Sequence, residues 1–275
     1  MRFSRLSPAS RIPLALTALA LPVLAAVLLW PPSPARAQSG LAPLSPPLSS
    51  PRPRTKVLIE LFTSEGCSSC PSADAALMQL VREQPLGDIE LIGLEEHVDY
   101  WNQLGWSDPF SSPLFSSRQE AYLPAVGRGR LYTPQAVIDG RLDALGSDRQ
   151  ALLQAAREAA AQPHATARVE LARRTPQALE LRAEAALLPG QSGELWIALV
   201  EDGLATQVPR GENAGRTLPH AAVVRALLRA TQESGGALAG SVSIPLDPSW
   251  NALALRPIAF VQEPRSRRIL AAAAR

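Results

Sequence analysis

Apolar and polar residues alternate along this chain in short runs, and the spacing of the runs predicts a series of strands and helices. Apolar residues recur at helical spacing over residues 70–83, which predicts a helix. Uninterrupted apolar runs on either side of it, at Val57–Phe62 and Ile89–Leu94, predict two buried strands. A short strand is predicted next at Ala136–Gly140, and an alanine-rich helix at Gln150–Ala161. This order is typical of an α/β sheet that is covered by helices.

Two other stretches depart from that alternation. Residues 95–129 are rich in aromatics, proline and serine, and predict a loop-rich insert that is irregular or helical. After Pro163 the apolar runs are short and separated by turn residues, so each run predicts a strand. These strands are Ala167–Leu171, Leu179–Ala183, Leu195–Glu201, Ala237–Ile244 and Pro257–Gln262. Ala221–Ala230 has a helical pattern instead, although a strand in part of it also fits. The spacing predicts a mainly antiparallel β-sandwich.

The first 37 residues have the features of an export signal. Three arginines lead into an uncharged apolar run of 19 residues, Ile12–Trp30, and Ala35–Ala37 has the small-x-small pattern of a cleavage site. Two prolines weaken the run as a membrane helix, so we predict cleavage after Ala37, with a retained anchor as the alternative. Either outcome places the rest of the chain outside the cytoplasm, as a periplasmic or secreted bacterial protein.

The chain is therefore predicted to have four parts. A signal peptide at 1–37 precedes a Pro-rich linker at 38–55, an α/β domain at 56–164 and a β-rich domain at 165–275. The net charge is only +2 and the basic residues are scattered, which argues against a nucleic-acid partner. We expect a membrane contact only if the N-terminal segment stays uncleaved.

The two cysteines, Cys67 and Cys70, lie in the stretch ELFTSEGCSSCP, between the first predicted strand and helix. A disulfide between them closes too small a ring to constrain the unfolded chain, which argues against a structural staple. Structural zinc takes four N or S ligands, and with three histidines such a site would need scattered residues. Backbone N–H groups at a helix start stabilise a thiolate, and Cys70 lies within reach to resolve a mixed disulfide with Cys67. Redox turnover therefore fits this pair best.

Strand, turn, Cys-x-x-Cys-Pro and helix resemble the thioredoxin superfamily, and Tyr132–Gln135 resembles the loop that carries its cis-proline. The resemblance implies that Pro134 is cis and faces the thiols, and that Thr133 offers backbone groups to a bound peptide. Four stretches in order resemble an exported bacterial thioredoxin-like family of unknown function, the domain-of-unknown-function family 1223. They are ELFTSEGCSSCP, HVDYWNQLGWSDPF, YTPQAVIDG and RGENAGRTL. The implied fold is an α/β thioredoxin-like domain followed by the β-sandwich domain.

Two further residues are candidates for proton transfer. His97 follows the second predicted strand and either accepts the thiol proton and stabilises the thiolate, or anchors its loop. Glu60, on the first buried strand, is a candidate proton shuttle. The position that holds a buried aspartate in thioredoxins is Leu61 here, which puts a thioredoxin-style relay in doubt. The RGENAGR loop either pairs its own charges or folds back to shape the thiol cleft.

The sequence thus predicts an exported thiol–disulfide oxidoreductase whose partner is an exported protein substrate or redox partner. Its site residues would be Cys67, Cys70, Thr133 and Pro134, with His97 and Glu60 moving protons. No organic cofactor is expected, since the electrons pass through the thiols. One alternative is a copper-binding thioredoxin-like metallochaperone that uses Cys67, Cys70 and His97. Another is a non-catalytic interaction module.

Overall fold

The apolar run after Lys56 forms β1 (Thr55–Thr63), around which the rest of the structure is arranged. The computed structural model describes residues 53–230, 232–234 and 237–275, which belong to one compact unit. The signal peptide predicted at 1–37 and most of the linker predicted at 38–55 lie outside the described residues.

The described residues form a mixed α/β fold that is mostly sheet, with few helices. The strands after β1 are β2 (Ile89–His97), β3 (Gln135–Ile138), β4 (Leu142–Leu145), β5 (Thr166–Arg174), β6 (Ala178–Ala186), β7 (Glu194–Glu201), β8 (Leu204–Gln207), β9 (Thr217–His220), β10 (Val223–Arg229), β11 (Gln232–Ser234), β12 (Ala237–Pro245), β13 (Leu255–Gln262) and β14 (Ile269–Ala274). The helices are α1 (Cys70–Glu83), α2 (Pro113–Val126), α3 (Arg149–Ala160) and a short 3₁₀ turn, Asn102–Leu104. Within this described part, no helix combines the length and apolar character needed to span a membrane.

Eight strands form the large sheet, in the order β14-β13-β7-β10-β2-β1-β3-β4. β1 and β2 are parallel, β3 is antiparallel to β1, and β10 joins the other edge of β2 in parallel. This sheet therefore contains strands from both sides of residue 165, where the sequence predicts a domain boundary. A second sheet has the order β11-β12-β6-β5, and β8 and β9 form a separate hairpin.

The alternation of side chains along a strand assigns each face of the large sheet to a different layer. The odd-numbered apolar residues of β1 pack against α1 and α3, whereas Leu58 packs with Phe115 of α2. In the same way, the odd-numbered residues of β7 pack against the second sheet, and Ala198 and Val200 join Phe115. One face is thus covered by α1, α3 and the second sheet, and the other by α2.

Most predicted elements are confirmed, and one is wrong. The helix at 70–83 has the predicted bounds. Most predicted strands extend by a few residues at their ends, whereas β3 stops at Ile138, two residues before the predicted Gly140. The helical pattern at Ala221–Ala230 is instead β10, because this segment pairs with β7 along its length and also reaches β2. The insert predicted at 95–129 contains a regular helix, α2.

A buried ionic network joins β1 to α2. Arg118 Nε lies 2.6 Å from Glu60 Oε1 and 3.5 Å from Glu96 Oε1, and Tyr122 donates a hydrogen bond to Glu60. Burial alone would lower the pKa of Arg118, but the charges of Glu60, Tyr122 and Glu96 raise it. Burial and the neighbouring Glu60 raise the pKa of Glu96 well above its usual range, which favours its neutral form. One guanidinium thus balances one carboxylate inside the protein.

We expect Arg118→Met to lower the free energy of unfolding by about 3–5 kcal/mol, because it leaves the Glu60 charge buried and unpaired. The urea midpoint measures this loss. The double variant Glu60→Gln, Arg118→Met should recover part of it. Arg168→Met, which breaks an exposed pair with Glu184, is the control and should have little effect. Equal urea midpoints for Arg118→Met and the control variant would contradict a buried network.

Candidate functional site

The cysteine pair lies where β1 turns into α1. The chain leaves β1 at Thr63 and reaches Cys67 before α1 begins at Cys70. The two cysteines form a disulfide, with their Cα atoms 5.4 Å apart. Cys67 is 1% exposed and Cys70 is 0% exposed, although Ser68 and Ser69 between them are at the surface. The pair is therefore oxidised, and other parts of the chain cover its sulfurs.

The start of α1 has the features that stabilise an anionic sulfur. Ser69 is the N-cap, but its side chain accepts no hydrogen bond from the helix, and the first turn contains no acidic residue. Its hydroxyl lies instead 3.3 Å from Cys67 Sγ. Pro71 occupies the first turn, where its missing N–H is tolerated. The positive end of the helix dipole thus lies next to the cysteines.

The loop before β3 reaches the same helix. The Thr133–Pro134 peptide bond is cis, as the sequence resemblance implies. At Gly146, which bonds to the Pro134 carbonyl, a Cβ atom would lie 2.9 Å from Ala73 of α1 and 3.3 Å from Pro134. Only glycine therefore allows α1 and this loop to approach each other so closely. The approach brings Pro134 to the first turns of α1.

Trp101 joins the same two loops. Its ring N–H donates to Thr133 Oγ1 over 2.8 Å. A Cβ at Gly66 would lie 3.1 Å from the Cβ of Trp101. Trp101 thus connects the turn before Cys67 with the loop of the cis peptide.

The connection between β8 and β9, residues 208–216, folds over the disulfide, and we call it the cover loop. The Asn213 amide donates to the carbonyl oxygens of Glu65, at 2.8 Å, and Cys67, at 2.9 Å. Glu212 accepts a hydrogen bond from the N–H of Ser68 at 2.9 Å. Gly211 has a φ of +82° and packs on Trp106. Of the two interpretations of the RGENAGR stretch, the structure has the one in which the loop folds back over the cysteines.

His97 is the last residue of β2 rather than part of the following loop, and its side chain is buried. Its Nδ1 lies 2.7 Å from Asp108 Oδ2, and its ring contacts those of Phe110 and His220. Burial alone would lower the pKa of His97, but Asp108 and Glu95 raise it well above the usual range. Its contacts therefore tie His97 to a buried polar cluster.

That cluster continues below the start of α1. His220 Nε2 lies 3.2 Å from Glu65 Oε1, and Glu95 Oε2 lies 3.4 Å from His220 Nδ1. Burial alone would lower the pKa of His220, but Glu65 and Glu95 raise it to about 9. Burial together with the charge of Glu95 raises the pKa of Asp74, on α1, to about 7. Two imidazole rings and several carboxylates are thus packed together within the protein.

The predicted residues do not all meet. Cys67, Cys70, Thr133 and Pro134 come together around the start of α1. Glu60 points to the opposite face of the sheet, where its partners are Arg118 and Tyr122 rather than the cysteines. The copper alternative needs two free sulfurs and His97. In this structure the sulfurs are bonded to each other, and the two ring nitrogens of His97 face Asp108 and Glu95.

Sequence reasoning missed the residues that complete this region. Asn213 and His220 come from 146 and 155 residues away from their partners, and no local pattern marks such a contact. Glu95 carried a usable signal, because residues two apart on a strand share a face and His97 was already a candidate.

The fold and the site define a mixed α/β protein with a Cys-x-x-Cys disulfide at the start of a helix. The family described as "Protein of unknown function (DUF1223)" matches residues 58–262, and the chain belongs to this family. The crystal structure of protein AGR_C_4864 from Agrobacterium tumefaciens is similar, with 26% identity, a TM-score of 0.61, and coverage of 80% of this chain and 94% of that chain. A β-glucosidase from Kluyveromyces marxianus in complex with glucose, 12% identical, covers 40% of this chain and 14% of that one at a TM-score of 0.22, too low to support an argument. No curated protein matches the chain.

The hydrogen bonds of the cover loop predict how fast a reductant reaches the disulfide. Asn213→Ala removes both amide hydrogen bonds and leaves the Glu65 carbonyl without its amide partner, a penalty of about 1–3 kcal/mol on the closed loop. We therefore expect a phosphine to reduce the disulfide roughly 10-fold faster than in the unaltered protein. Timed alkylation and mass spectrometry measure this rate, with circular dichroism confirming the fold.

Asn251→Ala is the matched control, because Asn251 is exposed and bonds only to the nearby Leu253 N–H through its side chain. Its reduction rate should equal that of the unaltered protein. Identical rates for Asn213→Ala and Asn251→Ala would show that the amide of Asn213 does not hold the cover loop closed.

Proposed function

We propose that this protein is an exported thiol–disulfide oxidoreductase that exchanges its Cys67–Cys70 disulfide with the thiols or disulfides of an exported protein. One observation carries the proposal: the disulfide begins α1, and Gly146 packs closely both against Ala73 of that helix and against the cis Pro134. This combination resembles the thioredoxin superfamily, and we place the α/β part of the chain there. The N-terminal sequence pattern supports export.

The two cysteines have different environments, which supports different roles. Cys67 lies in the turn before α1, beside the exposed Ser68 and within 3.3 Å of the Ser69 hydroxyl. Cys70 is the first helical residue and is fully buried. Once the cover loop moves, a client sulfur can approach Cys67 past the exposed Ser68, whereas Cys70 stays in the first turn of α1. Cys67 is therefore the exchanging sulfur and Cys70 the resolving one.

The reaction can be followed from the oxidised pair. A client thiolate attacks Cys67 Sγ, which forms a mixed disulfide and breaks the Cys67–Cys70 bond, so that Cys70 leaves as a thiolate. A second client thiolate attacks the client sulfur of the mixed disulfide and releases Cys67. The client gains a disulfide, and the pair gains two electrons and, after protonation, two protons. The same steps in reverse reduce a client disulfide, and a dithiol or disulfide partner then restores the pair.

Exchange requires the cover loop to move. With the loop closed, Asn213 holds the main chain of Cys67 and Glu212 holds that of Ser68. Both partners belong to one hairpin connection, so a single displacement frees both residues. Thr133 and Pro134 are not held by this loop in any of the described hydrogen bonds, so they remain in place to receive an extended client segment.

The test uses Cys70→Ser, which cannot resolve a mixed disulfide. Incubated with glutathione disulfide, this variant should gain one glutathionyl group on Cys67 by mass spectrometry. Cys67→Ser, in which only the buried Cys70 remains, is the matched control and should react at least about 10-fold more slowly. In the cell that exports the protein, Cys70→Ser should carry disulfide-linked adducts that a reductant removes, and Cys67→Ser should lack them. Equal reaction of the two variants would contradict the assigned roles.

A further inference from the structure

Three buried side chains converge on one point beneath the cysteine pair. Glu95 and His97 end β2, His220 ends β9, and a ligand atom of each lies within 4.8 Å of the other two. Glu95 Oε2 is 3.4 Å from His220 Nδ1 and 3.8 Å from His97 Nε2. At most 1% of each residue is exposed, so water does not solvate these atoms from outside.

These converging atoms have no hydrogen-bond partner among the described residues. They are both carboxylate oxygens of Glu95, Nε2 of His97 and Nδ1 of His220. Buried polar atoms are nearly always paired, because leaving one unpaired is costly. A histidine proton shared with Glu95 would satisfy them only through a hydrogen bond of normal geometry, and neither the 3.4 Å nor the 3.8 Å contact forms one. The atoms instead surround a common centre.

The outer nitrogen of each ring is held by a carboxylate. His97 Nδ1 lies 2.7 Å from Asp108 Oδ2, and His220 Nε2 lies 3.2 Å from Glu65 Oε1. Asp108 also accepts from the N–H of Glu65, and Glu65 accepts from the ring N–H of Trp106. Metal-binding histidines usually have this arrangement, since a carboxylate on one nitrogen fixes the ring and directs the other nitrogen to the metal.

Asp74 of α1 lies beside this group of three, near His220. Its Oδ2 lies 3.9 Å from His220 Nδ1, while its Oδ1 accepts from the Thr63 hydroxyl at 2.6 Å. Ligands bound to zinc at 2.0–2.2 Å in a tetrahedron stand roughly 3.3–3.6 Å apart. The contacts of 3.4, 3.8 and 3.9 Å reach that spacing after shifts of about half an ångström.

We propose that Glu95, His97 and His220, with Asp74 as the fourth ligand, bind one divalent transition-metal ion of the zinc type. Two imidazoles and two carboxylates suit Zn²⁺ and its neighbours, whereas Ca²⁺ and Mg²⁺ require oxygen ligands throughout. The site includes neither cysteine. It therefore needs neither thiol, and metal binding can be tested in a protein that lacks both cysteines.

The test titrates the chelator-treated protein, free of any histidine tag, with Zn²⁺ in a Cys67→Ser, Cys70→Ser background that removes the thiols. We expect one equivalent to bind by equilibrium dialysis, and the melting temperature to rise with Zn²⁺ concentration. Co²⁺ should give the visible absorption of a four-coordinate site, and Ca²⁺ should give no response. Absence of stoichiometric Zn²⁺ and Co²⁺ binding would overturn the proposal.

His220→Gln should weaken Zn²⁺ binding at least about 100-fold, because it removes a ligand rather than an outer partner. His164→Gln is the matched control, since His164 lies outside the cluster and bonds to Asp139, and it should retain one equivalent. Unchanged affinity in His220→Gln would also overturn the proposal. X-ray absorption at the zinc edge of the background protein needs no ligand variant. It should give two imidazoles with oxygen, and other ligands would refute the site.

Discussion

The parallel pairing of β1 with β2 is the constraint on which the whole site depends. The two strands pair in register along their length, from Thr55 with Ile89 to Thr63 with His97. The carboxyl ends of both strands therefore lie at the same end of the sheet, where functional groups gather in open α/β sheets. The cysteine turn follows β1 and His97 ends β2. Because β3 runs antiparallel to β1, its beginning, just after the cis-proline, lies at that edge as well.

The same pairing divides three consecutive residues between two layers. Glu95 and His97 point to the face that carries α1, whereas Glu96 points to the face that carries α2. On the first face the acid and the histidine meet Asp74 and His220. On the second face Glu96 meets Glu60 and Arg118, and burial keeps that pair of acids from both being ionised. Two polar networks thus lie back to back, separated by one strand.

Local patterns predicted the elements whose apolar residues all pack against a single core. In α1 and α3 these residues form one stripe along the helix, and in the buried strands they form one continuous run. The helix predicted at Ala221–Ala230 is wrong. Its alanines and leucines suit a helix, but β7 and β2 each pair with this segment and make it a strand. α2 was only partly predicted, because its buried residues include the charged Arg118, whose partners Glu60 and Gln262 lie far along the chain.

The site was predictable where a motif is local and unpredictable where it is assembled from distant segments. The cysteines, Thr133 and Pro134 belong to short motifs. The prediction that Glu60 lies near the thiols is wrong because neighbouring residues on a strand face opposite sides of the sheet. Leu61 faces α1, so Glu60 faces the other layer. Asn213 and His220 come from the hairpin of β8 and β9, which no sequence pattern connects with the first two strands.

Glu65 links the disulfide to the buried histidines. Its carbonyl accepts from Asn213 of the cover loop, and its carboxylate holds His220, which ends the strand that follows that loop. Displacing the loop removes one of these contacts and frees the start of the strand that positions the other. Since coupling between two sites is reciprocal, the free energy by which loop closure favours the His220–Glu65 contact equals the free energy by which that contact favours the closed loop. Access to the cysteines is therefore set partly by residues that never touch sulfur.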